Sequence, residues 1–92
     1  MKKPEWKQVV HDDGWISHEI VIGHLYLDVA QSKDRKKWET SVCDEQGTCL
    51  DKGRSFNATA LKTAKNYLLG LAAGVAQTQA DKVARLSVLA LT

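Results

Sequence analysis

Three histidines, two cysteines and a scatter of carboxylates are the first places to look for chemistry in this chain. His11, His18 and His24 are spaced by seven and six positions, and five residues separate Cys43 from Cys49. Neither spacing is that of a zinc motif, where paired cysteines are separated by two to four residues and paired histidines by three to five. A mixed site of His18 or His24 with the cysteines would need neighbouring strands to assemble it; otherwise the histidines read as partly exposed strand residues. A nucleophile needs a base within hydrogen-bond reach. Ser17 and His18 are adjacent, so on a strand they point to opposite faces and cannot pair. Asp12 and Asp13 fall in a turn, where paired carboxylates are solvated, and "DKGRSFN" before the helix holds one glycine, too few for a phosphate-cradling loop. The expectation is a protein with no catalytic residues, no metal and no cofactor. In a hairpin closed by "DEQGT", Cys43 and Cys49 would face each other, close enough to bridge if oxidised. In a reducing cytosol both are expected to be free thiols.

The elements that must position these residues follow from periodicity. "EWKQVVH" is a short strand and "DDG" a tight turn. "WISHEIVI" places Ile16, His18, Ile20 and Ile22 on one face. Leu25, Leu27 and Val29 carry the next alternation, and the odd step at Gly23-His24 predicts a two-residue hairpin or a glycine bulge. "WETSVC" alternates Trp38, Thr40 and Val42; "DEQG" is a turn and "TCLD" a short last strand. Beyond them Leu61, Ala64, Leu68, Leu71 and Val75 recur at helical steps, with Ser55 or Asn57 available as a cap. Gly70, Ala73 and Gly74 form a second, small-residue face. "TQAD" (78–81) has capping-box spacing, predicting a break near 77–79 and a second helix, or else a closing strand, over 83–92. The fold class expected is α+β in one domain, 1–92: an antiparallel meander of four to five strands (1–52), then one long or two short helices (55–92) packed on one face.

A chain of 92 residues is long enough for one core without a metal or a disulfide framework. "MKKPEWKQVV" has no apolar run behind its cations, and "YLLGLAAGVA" is about half the length a bilayer crossing requires. A cytoplasmic protein with no membrane contact is expected, monomeric or dimeric. Residues 1–50 carry seven basic and nine acidic side chains, residues 51–92 six and two, so the second half is the electropositive one. That asymmetry favours an acidic or phosphate-bearing partner and argues against a broadly acidic DNA mimic. Two basic groups stand out, the helix corner as the stronger pointer and the hairpin tip as a secondary one. "SKDRKKWE" gathers Lys33, Arg35, Lys36 and Lys37 before Trp38, which reads first as the strand residue anchoring the tip to the core, and otherwise as a ring that with the ammonium groups could grip a base or a loop. Lys52, Arg54, Lys62 and Lys65 surround the entry to the helix, whose N-terminus itself attracts anions. Trp6 and Trp15 read as core or rim residues.

The segment "KKWETSVCDEQGTCLDKGRSFNATALKTAKNYLLGLA" is similar to the hairpin-plus-helix part of double-stranded-RNA-binding domains, with Ala64-Lys65 in the place of their alanine-lysine pair. It departs from them where strands replace the first helix and Ala60-Leu61-Lys62 stands in place of the lysine pair. A tryptophan strand, a glycine turn, "LYLDV", "WETSV" and a helix with "ALKTAK" resemble small phage and prophage accessory proteins, several of which are anti-CRISPR inhibitors. That resemblance implies a non-enzymatic inhibitor of a host protein or ribonucleoprotein, such as a CRISPR surveillance complex, acting in the host cytoplasm. Direct RNA or DNA binding through the same cations is the alternative. A redox or metal-dependent enzyme built on Cys43, Cys49 and His24 is the third class.

Overall fold

In the computed structural model, which describes residues 4–78 together with Val88 and Leu91, the chain is an α+β fold of one sheet and one covering helix. The strands are β1 (Lys7–Val10), β2 (Ile16–Ile22), β3 (Leu25–Gln31), β4 (Lys37–Cys43), β5 (Cys49–Lys52) and β6 (Phe56–Asn57), followed by α1 (Leu61–Thr78). Strands β1 to β5 lie in sequence order, all antiparallel, and β6 pairs with β4 on the edge that β5 also uses.

The alternation read from the sequence sets the register. Ile20 faces Leu27 and Ile22 faces Leu25 across β2–β3, and Leu27 faces Val42 across β3–β4. Gly23 and His24 form the expected two-residue hairpin, and Gly23 takes φ 61°, a left-handed conformation costly for residues with a β-carbon. On this inner face Ile20, Ile22, Leu25, Leu27, Val29, Trp38 and Val42 are buried, and Ala64, Leu68, Leu69 and Ala72 of α1 close over them. The helix rests on β3, β4 and β6. Ala64 and Leu68 of the anticipated stripe are its buried centre, while Leu61, Leu71 and Val75 flank it half-buried. Gly70 and Gly74 are exposed.

Two expectations need correction. The sheet does not end at residue 52, nor does the helix begin at 55: Asn57 belongs to β6, and α1 opens at Leu61 after Ala60, so neither Ser55 nor Asn57 caps it. Nor are the histidines partly exposed strand residues. Only His18 lies in a strand, and it is buried beneath the helix; His11 and His24 are exposed in turns. The break over 77–79 and a second element over 83–92 lie largely outside the described residues. Val88 and Leu91, described as helical, both join the core, Val88 completely buried. No helix among the described residues is long and apolar enough to cross a membrane.

Candidate functional site

Antiparallel topology sends the β1–β2 turn and the β3–β4 tip to the same end of the sheet. The β6–α1 connection arrives there too: Lys37 pairs with Asn57, and Ala58 N–H donates to the Lys36 carbonyl at 3.2 Å. The sequence placed cations on a hairpin tip and on a helix entry as separate groups. The fold joins the tip to that entry, so Lys33, Lys36, Lys37 and Lys62 are all exposed at one end.

The tip is built rather than loose. Ser32 Oγ donates to Asp34 Oδ1 at 2.6 Å, and Lys36 N–H donates to the same oxygen at 3.0 Å. These two bonds, the Ser32 hydroxyl first, hold the Asp34 carboxyl below its ordinary pKa. Arg35, with φ 62°, turns across to the β1–β2 turn. Its Nη2 donates to the Asp13 carbonyl at 2.8 Å, with the Asp13 carboxylate 3.8 Å away. Trp15 Nε1 donates to the Gln31 carbonyl at 2.9 Å, and Asp13 accepts the Trp15 N–H at 2.9 Å. The turns therefore form one surface with a shallow depression of about 430 Å³, lined by Asp13, Trp15, Gln31, Lys33, Arg35 and Glu39.

Other expected contact residues are placed differently. Trp38 is not a surface ring: it is 7% exposed, donates from Nε1 to the Ala58 carbonyl at 2.9 Å, and meets His18 edge-on. A buried indole cannot stack on a partner, so Trp38 leaves the contact set. Lys52 leaves the helix corner, because it pairs with Ser41 on the face of the sheet opposite the helix. Arg54 remains exposed over the Phe56 ring at 5.4 Å. Lys65 is half-buried with its ammonium 5.2 Å from the centre of the Trp6 ring, and burial lowers its pKa. Burial first, and the Lys65 charge second, lower the pKa of His18 beneath the same helix.

The face of the sheet opposite α1 carries the chemistry that sequence spacing did not suggest. Ser17 cannot reach His18, as expected, but its Oγ lies 3.3 Å from His11 Nε2 because the β1–β2 turn folds His11 back. Ser17 is only 2% exposed, which closes it to a substrate. Asp28 sits between Glu19 of β2 and Ser41 of β4. Its Oδ1 is buried and has no hydrogen-bond partner among the described residues. Burial, with the Glu19 charge adding to it and His11 partly offsetting it, pushes the Asp28 pKa up to about 6.

The Asp28 shift fixes a pH dependence. The unfolded value is 3.8 and the folded value about 6, so the folded chain holds this proton more tightly. Stability from this group is complete below the unfolded value and is lost as pH rises through the folded one. Asp28→Asn is expected to raise stability at pH 7 by about 1 kcal/mol, allowing for solvent screening, and to change little at pH 4. Urea midpoints at the two pH values test this; equal shifts at both would remove Asp28 as the cause.

Cys43 and Cys49 are free and stand opposite one another in the β4–β5 ladder, at the far end from the basic tip. His24 pairs with Glu45 at that same end. Among the described residues no group of three or more His, Cys, Asp or Glu side chains is arranged to hold a metal ion. Comparison with protein-family models, curated proteins and solved structures finds no match for this chain.

Proposed function

We propose that this is a non-catalytic binding protein that occupies an acidic surface on a larger host protein or nucleoprotein in the host cytoplasm. Its most specific form is an inhibitor of the anti-CRISPR type, which blocks target DNA access by occupancy. One observation carries the reading: the β3–β4 tip and the helix entry converge, exposing Lys33, Lys36, Lys37 and Lys62 at one end. Of the nearby anions, Asp34 is bonded into its own turn and Asp13 to Trp15 and Arg35, while Asp12 and Glu39 are exposed. Such an end steers an anionic partner and fixes its orientation, which raises association rate and specificity more than raw affinity. Arg35 acts indirectly, by holding the two turns together. The anti-CRISPR form rests on the sequence resemblance to small phage proteins.

Charge reversal tests it. Lys33→Glu with Lys36→Glu and Lys37→Glu is expected to weaken capture of the host partner by at least about tenfold, each cation contributing on the order of 0.5–1 kcal/mol. Lys52→Glu, on the opposite face of the sheet, should leave capture within about twofold. Equal losses from both would move the contact away from the tip. Capture that survives nuclease supports a protein partner. Capture abolished by nuclease, with free duplex or single strand retained and released steeply by salt, would replace this reading with direct nucleic-acid binding.

A further inference from the structure

Strand β5 is a short and irregularly paired edge of the sheet. It has four residues, and its pairing with β4 is limited to Ser41–Lys52, Val42–Asp51 and Cys43–Cys49, with a register shift between Val42 and Cys43. The turn that leads into it is well made. Asp44 N–H donates to the Thr48 carbonyl at 3.0 Å, Gly47 N–H donates to the Asp44 carbonyl at 3.1 Å, and Asp44 Oδ1 accepts from the N–H groups of Gln46 and Thr48. Hydrogen-bonded and non-hydrogen-bonded pairs alternate along an antiparallel ladder. Since Asp44 and Thr48 are bonded, the next pair, Cys43–Cys49, is of the non-bonded kind. Its Cα atoms then approach to about 4.5 Å, within the range of about 4.4–6.8 Å that a disulfide spans.

The two thiols differ in access. Cys49 is exposed and Cys43 half-buried. Burial first, then the neighbouring Cys49 and Asp28, push the Cys43 thiol up. Reagents therefore meet Cys49 first, and Cys43 stands behind it as the second sulfur.

We propose that Cys43 and Cys49 form a reversible thiol–disulfide site whose oxidised state fastens β5 to the sheet, with a small-molecule disulfide as the oxidant. The Cys49 thiolate attacks one sulfur of the oxidant, forming a mixed disulfide and expelling one thiolate. Cys43, losing its proton to solvent, attacks the Cys49 sulfur and expels the second. The protein gives up two electrons and two protons, and the oxidant becomes two thiols. Exposure of Cys49 leaves the bond open to the reverse exchange. Oxidation covalently ties the strand beside the register shift, at the end of the molecule away from the basic tip, so the site is independent of partner binding there.

Glutathione disulfide and glutathione, in graded ratios, test this on the whole chain. The wild type is expected to lose two hydrogens by intact mass and both titratable thiols, with no glutathione retained. Cys43→Ser should stop at a single glutathione adduct on Cys49, and Cys49→Ser should react at least about tenfold more slowly because its remaining sulfur is half-buried. The oxidised wild type should unfold about 5 °C or more above the reduced form. Its β5 amides, residues 49–52, should exchange more slowly. A wild type that ends as a glutathione adduct or a disulfide-linked dimer overturns the proposal. So do two thiols that stay free across the series, or a closed disulfide that leaves β5 exchange and the unfolding temperature unchanged.

Discussion

Gly53→Ala is expected to cost about 3 kcal/mol of folding stability, the upper end of what overpacking a filled site does. Gly53 lies between β5 and β6, where the chain changes from one stretch of the β4 edge to the next. Its N–H donates to the Thr40 carbonyl at 2.9 Å, and Thr40 Oγ1 donates to the Arg54 carbonyl at 2.9 Å. A β-carbon on Gly53 would overlap Thr40 Oγ1 and come within 2.9 Å of Tyr67 Cε1 and 3.2 Å of Thr40 Cβ. Thr40 is 1% exposed and its hydroxyl is committed, so it has nowhere to move. Thr40→Ala alone should cost about 1–2 kcal/mol by leaving the Arg54 carbonyl without that donor. The double variant should cost clearly less than the two single losses together, because removing Oγ1 relieves the worst overlap. Urea unfolding of the four proteins measures the coupling. Strict additivity, or a Gly53→Ala loss below about 1 kcal/mol, would mean that the backbone shifts to make room.

Why that glycine was not singled out in the sequence shows where legibility ends. Strand parity has two states, and one buried face fixes it, so Ile16 through Val42 could be assigned inward or outward without knowing the fold. Gly23 was legible because a parity slip and a glycine coincide. Gly53 has neither mark: its reason is a side chain thirteen positions away, brought close by pairing along β4. Strand β6 has two residues, too few for alternation to register. The same limit governs the site. Lys33, Lys36, Lys37 and Lys62 were legible as cations, but their convergence depends on β6 returning to the base of the tip. Arg35 read as one more contact charge, whereas its positive φ and its bond to the Asp13 carbonyl make it a brace between two turns. Asp28 carries no mark in the sequence, because an outward strand position normally means water, and only the register reveals Glu19 and Ser41 as its neighbours. The cysteine pair is legible because it is local, with both residues and their turn inside one hairpin.

Trp38→Phe is expected to cost about 2 kcal/mol, and Trp38→Ala about 4 kcal/mol. The indole supplies two things that phenylalanine cannot match together. Its Nε1–H satisfies the Ala58 carbonyl in the β6–α1 connection, and its larger ring, opposite Phe56 in the β4–β6 ladder, packs in a T-shaped pair with His18. Without that donor, the connection keeps the bond from Ala58 N–H to the Lys36 carbonyl but loses its inner anchor. The consequence should reach the proposed binding end, because this connection sets where Lys62 stands relative to Lys36 and Lys37. Trp38→Phe is therefore expected to weaken partner capture several-fold while the protein stays folded, by loosening the arrangement of the cations without removing any of them. Capture should then depend on salt as steeply as it does for the wild type, since the same charges meet the partner. Denaturation midpoints give the stability cost, and capture at two ionic strengths separates loosened geometry from lost charge. A folded Trp38→Phe protein that captures its partner as the wild type does would show that the tip holds its cations in place without the helix entry.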